Sequence, residues 1–110
     1  RAGMKQIPGR DKVLSMLGLA ARSRNVVSGG FATEAAVKGG TAVLVIIAED
    51  ASGNTRKKYS NMCEFYEVPY AFHGTKAALG HSMGKDERSV LALTDEGFAN
   101  SIRKHLGDSE

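Results

Sequence analysis

The 110-residue sequence has one cysteine, two prolines, no tryptophan and no apolar run longer than the stretch from Ala42 to Ala48. A membrane-spanning helix needs roughly 20 consecutive apolar residues, so that stretch has the length of a buried strand and no spanning helix is expected. Cys63 alone cannot close an internal disulfide, and Arg1-Ala2-Gly3-Met4-Lys5 lacks the apolar core of a secretion signal; a reducing cytoplasm is the expected compartment. The catalytic constellations are missing as well. His73, His81 and His105 are scattered without an HxxxH pairing, no phosphate loop of the Walker type occurs, and Glu49-Asp50 has no second acidic or His cluster at ligand spacing. The chain therefore reads as a non-enzyme with no metal or other cofactor. At 42% hydrophobic and 25% charged residues it has the composition of a soluble globular protein, and its length suits one domain spanning 1–110, with frayed ends at 1–8 and 107–110.

What the sequence does have is an uneven distribution of charge. The net charge is only +3, but residues 1–58 hold ten Lys and Arg against four Asp and Glu, a net +6, which leaves the remainder at −3. Clustered cations, more than total charge, mark a surface that meets phosphates.

Periodicity divides the chain into alternating elements. Val13, Leu14, Leu17 and Ala21 recur at helical spacing over 11–22, and Val26-Val27 marks a strand over 25–28. Gly29-Gly30 opens an Ala-rich helix over 31–38, which Gly39-Gly40 closes. The β-branched run 41–48 predicts a strand buried on both faces, hence helices above and below the sheet. Ser52 caps a third helix with Tyr59, Met62, Cys63 and Tyr66 on its core face. Further strands are predicted over 68–72 and 89–93, with a short helix capped by Thr75 between them and a last helix from Thr94 bearing Phe98, Ile102 and Leu106. The sum is an α/β fold, a three-layer α/β/α sandwich around a mixed or mainly parallel four-stranded sheet.

Three loops at strand or helix ends, 22–30, 49–58 and 72–76, combine exposed polar groups with a following helix. Gly29 and Gly30 leave the main chain open to a phosphate or a base edge, with Arg22 and Arg24 nearby to neutralise charge, although a tight strand-to-helix turn explains the same pair. Arg56-Lys57-Lys58 sits at a helix start, where cations oppose the helix dipole. Phe31 suits a base-stacking group, a hydrophobic staple or a partner contact.

In order and spacing, several strings resemble the L7Ae family of RNA-binding proteins, especially its short bacterial YlxQ-like branch. They are Leu17-Gly18-Leu19-Ala20-Ala21-Arg22, Val27-Ser28-Gly29, Ile47-Ala48-Glu49-Asp50-Ala51-Ser52, Val68-Pro69-Tyr70, Lys76-Ala77-Ala78-Leu79-Gly80 with Gly84, and Thr94-Asp95-Glu96-Gly97-Phe98-Ala99. The resemblance covers nearly the whole chain. It implies a four-stranded α/β/α fold that recognises kinked or bulged RNA, the kink-turn, through the start of the second helix and a loop near the fourth. Kink-turn binders typically read Gly-x-Asn-Glu-x-x-Lys there, whereas this chain has Gly29-Gly30-Phe31-Ala32-Thr33-Glu34-Ala35. The Asn, Glu and Lys are thus replaced by Phe31, Ala32 and Ala35, with the loss of polar contacts that in nucleic-acid complexes discriminate bases by about 1 to 3 kcal/mol each.

The RNA-binding residues expected from sequence and resemblance are Arg22, Arg24, Gly29, Gly30, Phe31, Thr33, Lys38, His73, Gly74, Thr75 and Lys76. The expected partner is structured RNA, ribosomal RNA included, bound by a monomer with no membrane attachment. A protein-interaction adaptor on the same fold is the alternative, because Phe31, Ala32 and Ala35 make the helix start more apolar.

Overall fold

The structure, a computed structural model, describes residues 11–108. Its elements are α1 (Lys12–Arg22), β1 (Val26–Ser28), α2 (Gly30–Gly39), β2 (Leu44–Ile47), α3 (Gly53–Tyr66), β3 (Tyr70–Phe72), α4 (Lys76–Ser82), β4 (Val90–Leu93) and α5 (Glu96–Asp108). The ends expected to fray at 1–8 lie outside the described residues, while α5 continues through Asp108. No helix among the described residues is long and apolar enough to cross a membrane.

Local chemistry accounts for most boundaries. Asp11 caps α1 by accepting from the Leu14 N–H at 3.0 Å, Ser52 caps α3 through Thr55 N–H at 3.1 Å, and Thr75 caps α4 through Ala78 N–H at 3.0 Å. The last helix is capped by Asp95, which accepts from Phe98 N–H at 3.0 Å, rather than by Thr94. Gly40 takes the left-handed conformation that ends α2, at φ 84°. The apolar run 41–48 yields only four residues of strand. The Thr41 and Ala42 N–H groups donate back to the Ala36 carbonyl at 3.0 and 3.1 Å, so these two residues finish α2 instead of joining the ladder.

The sheet has the order β1-β4-β2-β3. It is mixed, as expected, but mainly antiparallel: β4 pairs antiparallel with both β1 and β2, and only β2 and β3 run parallel. The cause lies after α4. The Arg88 N–H donates to the Lys76 carbonyl at 3.1 Å, returning the chain to the start of α4 instead of carrying it across the sheet. Gly80 permits this return, because a Cβ there would run into the Asp86 carbonyl.

All residues of β2 and β4 are buried, so both faces of the sheet are covered. α2 and α3 pack together on one side, and α1 packs with α4 and α5 on the other. The core runs through Leu17, Val37, Leu44, Ile46, Leu79, Leu91, Leu93 and Ile102. On α3, Tyr59 and Cys63 join it, but Tyr66, expected in the core, is 41% exposed at the helix's last residue.

Candidate nucleic-acid interface

Because β1, β2 and β3 share one direction and β4 opposes them, the starts of α2, α3 and α4 and the loop entering β4 meet at one edge of the sheet. Hydrogen bonds knit this edge. Gly29 N–H donates to Val90 O at 2.9 Å, Ala48 N–H to Ser89 O at 2.8 Å and Glu49 N–H to Gly74 O at 2.7 Å. Asp50 Oδ1 accepts from Lys76 N–H at 2.7 Å, which gives this acid a loop-fixing role.

The edge brings most of the expected residues together. Gly29, Gly30 and Phe31 stand at the β1 end, and His73, Gly74, Thr75 and Lys76 at the β3 end, about 14 Å away across three strand spacings. Gly29 has φ 92° and open space where a Cβ would lie, whereas a Cβ on Gly30 would meet Tyr59 Oη at 2.7 Å. Gly29 is therefore required by backbone conformation and Gly30 by the close approach of α3. At the far end, His73 Nε2 lies 3.0 Å from Asp11 Oδ2, tying the loop to the start of α1, and Gly74 turns at φ 71°.

Arg22 and Arg24 lie at the other end of β1, a strand only about 10 Å long. A groove of about 640 Å³ runs from them along Val26, Val27 and Ser28, with His81 and Lys85 on its opposite wall and no carboxylate in its lining. Among the described residues, Arg22, Arg24 and Lys85 make no ion pair. Where this groove ends at Ser28, a second cleft of about 530 Å³ begins, bordered by Gly29, Gly30, Phe31, Glu87 and Arg88.

Two expected contacts do not join this surface. Thr33 is 0% exposed, and its hydroxyl faces the interior of the α2 packing, where an RNA on the surface cannot reach it. Lys38 sits at the opposite end of α2, 2.7 Å from Glu34 Oε2. Lys58 approaches the same carboxylate at 3.4 Å. The Lys38 hydrogen bond, then that of Lys58, holds the Glu34 carboxyl below its ordinary range, and Glu34 in turn raises Lys38. Within the 56–58 cluster Lys58 thus turns to Glu34, while Arg56 stands over the Phe72 ring at 5.8 Å.

Arg88 was missed in the sequence because it lies in the net-acidic half, between Glu87 and Ser89. Its Nε donates to Ser28 Oγ at 3.2 Å and its Nη1 to the Asp86 and Glu87 carbonyls at 3.2 and 2.9 Å. The guanidinium is thus fixed beside the α2 start. The run Gly84-Lys85-Asp86-Glu87-Arg88 after a short helix was the signal available.

Comparison with known proteins agrees with this architecture. Residues 11–103 match the profile of the Ribosomal protein L7Ae/L30e/S12e/Gadd45 family. The RNA-binding protein YlxQ of Bacillus subtilis is 47% identical over 87 residues, covering 79% of this chain and 87% of that protein. The large ribosomal subunit protein eL8 of Cenarchaeum symbiosum is 33% identical over 93 residues, covering 84% and 74% respectively. Among solved structures, a Bacillus halodurans protein of unknown function superposes with TM-score 0.85 at 37% identity, covering 89% of this chain and 99% of that one. The Giardia lamblia 15.5kD RNA binding protein superposes with TM-score 0.73 at 26% identity, covering 88% and 83%. With the profile matched over most of its length and a relative at 47% identity, the chain belongs to the Ribosomal protein L7Ae/L30e/S12e/Gadd45 family.

Proposed function

We propose that this chain binds structured RNA, kinked or bulged, as a non-catalytic monomer in the cytoplasm, with ribosomal RNA within its target class. The observation that carries the reading is the carboxylate-free groove along β1, with Arg22, Arg24 and Lys85 on its walls, opening at Ser28 onto the glycine turn of α2. Such a surface attracts phosphates, while open main chain at Gly29 lets a folded strand approach closely. The names of the Bacillus subtilis and Giardia relatives point the same way. Phe31, Ala32 and Ala35 supply no polar contacts to base edges, so the expected recognition is of shape and backbone. Gly29, Gly30, Phe31, Gly74, Thr75 and Lys76 line the contacted edge in this reading, with His73 positioning its loop.

The adaptor alternative has one feature in its favour, the groove between α1 and α4 beside the 45% exposed Leu19. A titration separates the two. Purified protein is titrated against a kink-turn RNA and an unkinked duplex of equal length at two salt concentrations. Tighter, salt-sensitive binding to the kinked RNA is expected; equally feeble binding to both ends the proposal.

A further inference from the structure

Helix α1 carries more apolar surface than the core uses. Val13, Leu17 and Ala20 are buried, but Leu19 stands 45% exposed on the outer side of the helix. The reason for a leucine there lies beside it, in the groove between α1 and α4. A Cβ on Gly18 would lie 2.9 Å from the Ser82 carbonyl, so the two helices meet almost main chain to main chain. Gly18, Ala78 and Ser82 are too small to fill the space above that contact, and a groove of about 620 Å³ remains, with Leu14 and Leu19 as its large apolar groups. From Leu14 to Arg22 it follows α1 for about 12 Å, a little over two turns.

The charge around this groove has one sign. Arg22 and His81 line it and no carboxylate does. Lys12, Ser15, Leu19 and Arg22 follow one another at helical spacing, which sets a cation at each end of the exposed stripe. Among the described residues neither Lys12 nor Arg22 makes an ion pair. Asp11, the one acid in residues 1–22, is taken up by the Leu14 N–H and by His73. An occupant must therefore offer aliphatic side chains to the floor and carboxylates to the rim. RNA does not: no Phe, Tyr or Trp lines the groove for a base to stack on, and leucines gain nothing from a phosphodiester chain. The chain's own residues 1–10 do not either, with three cations and no acid. An amphipathic helix with an acidic polar face meets both demands, because its apolar residues at every third and fourth position fit a groove between two helices.

We propose that the α1/α4 groove docks an acidic amphipathic helix of a partner protein, with Leu19 as the apolar anchor and Lys12 and Arg22 pairing with its carboxylates. This adds a protein partner to the RNA-binding reading and stands whether or not that reading holds.

The test uses the whole chain, isotope-labelled for NMR, and two helical peptides. One has leucines at every third and fourth position with glutamates between them; its twin has lysine for each glutamate. The glutamate peptide should bind roughly tenfold tighter than the twin or better, less so at high salt, with shifts centred on the amides of 14–22 and 78–82. Leu19→Ser should weaken it by roughly tenfold or more, and Ala78→Glu, which sets a carboxylate in the groove, should reverse the preference between the peptides. Shifts centred elsewhere, equal binding of the two peptides, or undiminished affinity in Leu19→Ser overturns the proposal. Self-association of the protein alone through the same amides, seen by sedimentation, assigns the groove to a second copy and also overturns it. Thermal melting verifies the fold of both variants. Structured RNA, titrated in parallel, should bind Leu19→Ser as it binds wild type, so failure of the peptide arm and failure of the RNA-binding reading are told apart.

Discussion

Arg88 illustrates how much a single side chain depends on the main chain around it. Three acceptors hold its guanidinium beside the α2 start, a geometry that a lysine ammonium on its flexible stem does not reproduce. Thr33, two residues beyond Phe31, is the opposite case: its hydroxyl is buried with no hydrogen-bond partner. Thr33→Val removes that unsatisfied group at nearly constant volume, and urea unfolding should show a gain of about 1 kcal/mol, with RNA affinity unaltered. A loss of affinity would return Thr33 to the interface. Cys63 supplies a pH test. Burial first, then the neighbouring Glu64 charge, push its thiol up from 9.0 to about 11. The unfolded chain therefore releases this proton before the folded one does. The stability held by the neutral thiol is complete below about pH 9 and is lost as pH rises towards 11. Urea midpoints followed across that window should fall more steeply for wild type than for Cys63→Ala; parallel curves would contradict the assignment. Residue-level roles were the least legible part of the sequence. Gly29 and Phe31 stood out by type and position, but burial removed Thr33, the ion pair with Glu34 occupied Lys38, and Arg88 lay hidden among acids.

At the scale of elements, α4 and its return loop decide the topology. The loop folds back over Gly80, where Met83 and Lys85 donate to the Gly80 carbonyl at 3.0 and 2.8 Å, and it delivers Arg88 to the sheet edge. A methyl group at position 80 displaces the loop. Gly80→Ala should cost about 1 to 3 kcal/mol in urea unfolding, the range for overpacking a fitted contact, and should lower RNA affinity through Arg88. An undisturbed Gly80→Ala protein would show that the loop tolerates the shift. Helix starts at Ser52 and Thr75 were legible because capping is local chemistry, whereas the Asp11 cap was not read. Strand direction was not. An alternation of strands and helices suggests parallel neighbours, and the reversal of β4 follows from the short α4 and its return loop, joined by the hydrogen bond between Arg88 and Lys76, which no periodicity encodes.

Across the whole molecule, the overall charge of +3 says less than its placement. Of the described cations in the first half, Arg22 and Arg24 stand at the groove, Lys38 and Lys58 pair with Glu34, and Arg56 lies over Phe72; Lys85 joins the groove and Arg88 the adjoining cleft from the other half. The layered fold and the family were legible because they rest on patterns spread along the chain, whereas the interface assembles from loops distant in sequence. The central claim is that RNA phosphates lie along the β1 groove. It is tested most directly by the salt dependence of binding to one structured RNA, for wild type and for the triple variant Arg22→Gln, Arg24→Asn, Lys85→Gln. Asn suits position 24, whose φ is 64°. Each lost phosphate contact lowers the slope of log K against log salt by about 0.9, so the triple variant should bind more weakly at low salt with a slope shallower by about 2 to 3. A slope and affinity equal to those of wild type would contradict the account.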